Sequence, residues 1–184
     1  MSEDFESGKP TAMPASVDDV VELNAFYNPE TGKPWDTKSG GKLSVIAKLP
    51  YEWLQKFSQY DESELRFIPQ DIRGFRIYEV GRIPKGRVGG TEFHRIRHEI
   101  AVCTQGLVEW SCEDVYGKRK TFVLSKEKGV YMPPFIRHTY LTPENGPDGS
   151  GLIVVCNTLF DANDKRTHDS YPAETFEKLQ KHYL

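Results

Sequence analysis

From Val20 onward the chain is written in short apolar bursts: "VELNAFY", "KLSVIAKLP", "FRIYEVG", "IAVCTQG", "LVEWSC", "KTFVLS", "GVYMPP" and "GLIVVCNTLF". Gly, Pro, Asn and Asp separate them, as in "PETGKP" and "YGKRK". Bursts this short are poor material for packed helices but suit strands a few residues long, bounded by turns. Many short strands in succession must hide their edges, and a β-sandwich or closed barrel does so. An all-β domain is therefore expected. With 184 residues and 38% apolar content the chain can bury one real core, so a single domain over residues 19–184 is predicted. The first 18 residues are polar, with Pro, Ser and acids, and read as a disordered tail.

Two segments interrupt the strand rhythm. "PYEWLQKFSQY", residues 50–60, fits a short helix. The closing stretch "YPAETFEKLQKHYL" has a Pro at the first helical turn and sets Phe176, Leu179 and Tyr183 at helical spacing. This C-terminal helix is expected to pack across the outside of the barrel.

Charge excludes several functions. The 24 basic and 27 acidic residues are interspersed and leave a net charge of −3, so no basic face follows a phosphate backbone and nucleic acid is not an expected partner. No run approaches the roughly 20 apolar residues of a membrane span, and "MSEDFESGKPTAMPAS" lacks the parts of a secretory signal. A cytoplasmic protein with no membrane partner is expected. Cys103, Cys112 and Cys156 sit singly in apolar stretches, which suits buried thiols, predicts no disulfide and rules out a zinc knuckle.

The chemistry concentrates in "EFHRIRHEIAVCTQG", residues 92–106. Gly86 precedes Glu92 by five intervening residues; Glu92 and His94 are separated by one, His94 and Glu99 by four, Glu99 and Gly106 by six. Residues two apart on a strand share a face, so Glu92 and His94 point the same way. If His94 faces inward, alternation along "HRIRHE" exposes Arg95 and Arg97. Glu99 reads equally as a site acid or as a structural partner of one of those arginines. A later segment, "GVYMPPFIRH", brings His138 five residues after Pro133. His98 reads as a surface turn residue, and His168 and His182 as solvated. Arg137, beside His138 on a strand, should face away from it.

This spacing resembles the first signature of the cupin superfamily, Gly-x5-His-x-His-x4-Glu-x6-Gly, with Glu92 where the first His is usual. "GVYMPPFIRH" resembles the second signature, without its glycine. The resemblance implies a double-stranded β-helix, or jelly-roll, barrel. More narrowly, "GVYMPPFIRH", "FRIYEVG" and "LIVVCNTLFDANDKRTHDSY" are similar to segments of the sugar-nucleotide 3,4-ketoisomerases, which act on thymidine-diphospho-4-keto-6-deoxyglucose. That likeness covers roughly residues 70–175. It implies a homodimer, no cofactor, and a proton moved from C3 to C4 through an enediol by His94, Glu92 and His138. It also implies that Tyr78 holds the sugar and Arg87 meets the diphosphate. With Glu92 in place of an imidazole, a carboxylate raised toward neutrality by burial would serve as the base.

Two other functions follow from the departures. Glu92, His94, Glu99 and His138 form a two-imidazole, two-carboxylate set suited to Fe(II), Mn(II) or Ni(II), as in a metal-dependent cupin oxygenase or lyase. Loss of the first His alternatively suits a catalytically silent sugar-nucleotide-binding cupin.

Overall fold

The computed structural model describes residues 13–60 and 73–184. Strands β1 (Val21–Asn24), β4 (Arg73–Ile83), β6 (Glu99–Gln105), β9 (Lys128–Met132) and β11 (Ser150–Thr158) form one antiparallel sheet in the order β1-β9-β6-β11-β4. Strands β5 (Gly89–Phe93), β7 (Leu107–Glu113), β8 (Arg119–Ser125), β10 (Arg137–Leu141) and β12 (Tyr171–Pro172) form the other, in the order β12-β5-β10-β7-β8. A separate ribbon pairs β2 (Trp35–Asp36) with β3 (Lys42–Leu43). The two large sheets face each other across one core, the jelly-roll arrangement expected from the sequence.

Alternation decides what fills that core. On β7, Val108, Trp110 and Cys112 are buried while Ser111 turns outward and hydrogen-bonds Thr121 of β8 at 3.0 Å. On β4, Tyr78 and Val80 pack against the core, whereas Ile77 stays exposed. Ala101, Cys103, Leu152, Val154, Phe122, Leu124, Val130 and Met132 complete the interior. All three cysteines are buried and free, as expected.

Both helices form. Helix α1 (Tyr51–Ser58) follows Pro50, and α2 (Ala173–Gln180) follows Pro172. Phe176 and Leu179 of α2 are buried with Phe93, Val115, Phe135 and Tyr171 in a second cluster outside the barrel interior. Each buried aromatic of this kind contributes about 1.5–3 kcal/mol, so α2 pins the end of β5. That strand end is where the site begins.

Residues 1–12 of the expected tail lie outside the described residues. Ser16 and Val17, counted with that tail in the sequence, are instead fixed to the barrel. Ser16 caps a single 3₁₀ turn reciprocally with Asp19, and the Ser16 hydroxyl and Val17 N–H both donate to the Asp114 carboxylate at 3.0 Å. Val17 then packs into the core. The cap and the distant acid together supply what the polar composition lacks. Among the described residues, no helix is long and apolar enough to cross a membrane.

Candidate active site

Strand register gathers the chemistry at one place. On β10, His138 lies opposite Glu92 of β5 on one side and Cys112 of β7 on the other. From the facing sheet, Tyr78 of β4 pairs with Val154, and Glu99 opens β6 opposite Cys156 and Met132. Tyr78, Val80, Gly90, Glu92, Glu99, Trp110, His138, Tyr140 and Val154 line a cavity of about 310 Å³ inside the barrel. That is the small end of the ligand-pocket range of about 300–1,000 Å³, room for one sugar-sized ring. The Gly89–Gly90 pair makes the wall possible. A Cβ at Gly89 would stand 2.6 Å from the Tyr140 ring, and Gly90 holds a positive φ of 83° where the β5–β10 register shifts.

Glu99 is the hub. Its carboxylate accepts the Tyr78 hydroxyl at 3.1 Å and lies 3.5 Å from His94 Nε2, 3.5 Å from Arg97 and 3.7 Å from His138 Nε2. The His138 ring lies flat on Trp110, with centroids 5.1 Å apart and planes 3° apart. His94 stands just beyond the end of β5, buried, with a ring nitrogen within 4.8 Å of ligand atoms of Glu92 and His138. Its two nitrogens are both engaged: Nδ1–H donates to the Asp169 carbonyl at 2.6 Å, and Nε2 lies 3.4 Å from Arg97 and 3.5 Å from the Glu99 carboxylate. The Asp169 carbonyl can only accept, so Nδ1 carries a proton, while Nε2 faces both a donor, Arg97, and an acceptor, Glu99.

Arg95 and Arg97 are not exposed, contrary to the alternation argument; their accessibilities are 2% and 4%. The reason is that β5 stops at Phe93 and residues 94–98 form a loop rather than a strand. The Asp169 carboxylate accepts the consecutive N–H groups of Arg95, Ile96 and Arg97 at 3.0, 2.9 and 2.8 Å. This turns the Arg97 side chain inward onto Thr158, His94 and Glu99. Neither Asp169 nor the inward Arg97 carried a local sequence signal, because the loop is set by an acid 72 residues away from Arg97.

The electrostatics follow from burial against these pairings. Burial alone would raise the Glu99 carboxyl, but His94, His138 and Arg97 outweigh it and hold it well below the ordinary carboxylate range. Of the three, the guanidinium is the one always charged. Burial disfavours the Arg97 charge, and Glu99 and Asp169 more than compensate. Burial pushes His138 down to about 4, against the pull of Glu99, so its imidazole is neutral at pH 7. Burial, then Glu99, also keeps the Tyr78 hydroxyl protonated.

Comparison with known proteins places this geometry. Residues 42–175 match the family model described as FdtA, WxcM-like C-terminal. The chain belongs to this family. No curated protein matches it. Among solved structures, the FdtA/WxcM-like chain is similar to the QdtA 3,4-ketoisomerase of Thermoanaerobacterium thermosaccharolyticum in complex with TDP, at 18% identity and TM-score 0.55, over 90% of this chain and 98% of that one. It is similar also to a 3,4-ketoisomerase from Helicobacter canadensis, at 15% identity and TM-score 0.56, over 89% and 96% of the two chains. A third match is the WlaRA TDP-fucose-3,4-ketoisomerase of Campylobacter jejuni, at 17% identity and TM-score 0.56, over 88% and 96%. At these identities the likeness establishes the fold.

In this FdtA/WxcM-like member, Glu92, His138 and Tyr78 face the cavity together, as the sequence predicted. Arg87 does not join them: it is exposed on the loop between β4 and β5 and does not line the cavity. Arg137 faces away and pairs with Glu113 at 3.2 Å. His98 is not a surface residue. It is half-buried, its Nδ1 is 2.8 Å from the Tyr131 hydroxyl, and burial pushes it down to about 4. His168 and His182 are exposed. Where the second cupin signature has glycine, Phe135 adopts a φ of 64° and donates its N–H to the His94 carbonyl at 2.7 Å.

Proposed function

We propose that this protein isomerises a nucleoside-diphospho-4-keto-6-deoxyhexose, moving the carbonyl between C4 and C3, without a metal. The observation that carries the reading is the cavity in which Glu92, His138, Tyr78 and Glu99 converge within reach of one sugar ring. The relatives of this fold named as TDP-sugar 3,4-ketoisomerases supply the substrate class.

A proton on C3 is acidic because it lies next to the C4 carbonyl. Glu92, a carboxylate at the cavity wall, takes that proton; the C3–H electron pair becomes the C3=C4 double bond, and the C4=O π pair moves onto the C4 oxygen to give an enediolate. His138 donates a hydrogen bond to an oxygen of the enediolate so formed, and Tyr78, whose hydroxyl proton goes to Glu99, offers its oxygen as acceptor to a sugar hydroxyl. In the second half the C3 hydroxyl passes its proton to the neighbouring C4 oxygen, the carbonyl re-forms at C3, and C4 takes from Glu92 the proton removed from C3. The shuttling role foreseen for His94 passes to Glu92 in this account, because His94 does not line the cavity and its nitrogens lie against Asp169, Arg97 and Glu99. His94 then acts by fixing the loop behind the cavity. Glu99 stays ionised and orients Tyr78. The cavity accommodates the hexose, so the diphosphate lies at its mouth. A homodimer working in the cytoplasm is part of this reading.

Nuclear magnetic resonance of the sugar product tests it. Incubation with thymidine-diphospho-4-keto-6-deoxyglucose should give a 3-keto product at catalytic protein concentrations. Unchanged substrate, together with a thermal shift on adding it, would favour the silent binding module instead.

A further inference from the structure

We propose that the Arg97 guanidinium is the resident cation of the carboxylate–imidazole cluster, and that its presence keeps a divalent metal ion out. Glu92, His94 and His138 present one ligand atom each within 4.8 Å of one another, a spacing on which a transition metal could close. A metal there would need the Nε2 lone pair of His94, since Nδ1 already carries the proton donated to the Asp169 carbonyl. That same nitrogen lies 3.4 Å from the Arg97 guanidinium. Glu99, the fourth candidate ligand, has its Oε1 3.5 Å from the same guanidinium nitrogen. Two of the four candidate ligands are thus turned toward a fixed positive charge, and a divalent ion would meet that charge at close range in a medium that screens poorly.

The guanidinium cannot swing aside easily. Its Nε lies 3.3 Å from the Thr158 hydroxyl, its side chain is 4% exposed, and its backbone N–H is held by Asp169. Two of the four candidate ligands, His94 and Glu99, are therefore held against an organic cation. The inference concerns the cluster alone and stands whether or not the isomerase reading does.

Cobalt(II) serves as the probe, because imidazole-bound cobalt absorbs in the visible. The full chain and the variants Arg97→Met and Arg97→Gln are titrated without substrate, with circular dichroism to establish folding. The native chain should show no saturable band. A folded Arg97 variant should bind one cobalt per chain at least tenfold more tightly, and adding His138→Gln should abolish that band. Stoichiometric binding by the native chain would overturn the proposal, as would a folded Arg97 variant that takes no cobalt. Should Arg97→Met fail to fold, Arg97→Gln, which retains a polar group toward Thr158, gives the reading. A merely structural role for Arg97 would change stability in these variants without creating the band.

Discussion

The Asp169 carboxylate accepts the backbone N–H of Arg97 at 2.8 Å, while its own carbonyl accepts His94 Nδ1–H at 2.6 Å. One residue from the segment before α2 thereby sets both the loop path and the proton on His94 Nδ1. Replacing Asp169 by Ala removes a charged acceptor from three buried donors. Hydrogen bonds to charged groups contribute about 1.5–3 kcal/mol each, and the three share one carboxylate, so a loss of about 3–5 kcal/mol is expected. Urea unfolding of the native chain and the variant measures it; a change below 1 kcal/mol would show that the loop holds without its anchor.

Phe135 poses a contest between strain and burial. A non-glycine residue in the left-handed region costs about 1–2 kcal/mol, and its φ is 64°. Its ring is 2% exposed and lies 6.5 Å from Phe93. Emptying such a ring position costs about 3–5 kcal/mol. Burial wins, so Phe135→Gly should be less stable than the native chain. Phe135→Ala should be worse still, by about 1 kcal/mol, since it loses the ring and keeps the strain. Thermal unfolding of the pair gives the order; Ala above Gly would contradict it.

Stability should fall on acidification, in a defined window. His98 and His138 are both held near 4 by burial, below the ordinary histidine value of 6.5. Between those values the unfolded chain takes up protons that the native chain refuses, so stability is full above pH 6.5 and declines as pH falls toward 4. Glu99 is depressed instead, so its contribution is kept through that window and lost only below the ordinary carboxylate range. Denaturant midpoints at intervals from pH 7.5 to 4 check this. The slope should become shallower in His98→Gln; an unchanged slope would mean that His98 is protonated in the folded state.

Tyr78→Phe isolates one hydrogen bond. The hydroxyl lies 3.1 Å from Glu99 and is held in its protonated form. The variant loses the bond between this oxygen and the sugar, about 0.5–1.5 kcal/mol, so kcat/KM with the keto-sugar nucleotide should fall by about 2–10-fold. An unaltered rate would remove Tyr78 from the chemistry.

How much of this was legible beforehand depended on whether the determinants were local. The strands rich in apolar residues, β4, β6, β7, β9 and β11, stood out as bursts, and α2 followed from the spacing of Phe176 and Leu179. Strands β5 and β10 were visible only through their signature residues, because "GGTEF" and "RHTYL" place polar side chains where the others place hydrophobic ones. Glu92, His138 and Tyr78 were found for that reason. The burial of Arg95 and Arg97 was not, since strand alternation fails once Asp169 bends residues 94–98 into a loop. Ser16 and Val17 were missed in the same way, being ordered by Asp114 far along the chain.

The decisive measurement is deuterium uptake at C3 of thymidine-diphospho-4-keto-6-deoxyglucose in heavy water, read by mass spectrometry for the native chain and Glu92→Gln. The native chain should exchange the C3 proton and the variant should lose at least about 100-fold in that rate, the scale of general acid–base catalysis. Native-like exchange in Glu92→Gln, or none in the native chain, would contradict the assignment of the cavity as a proton-transfer site.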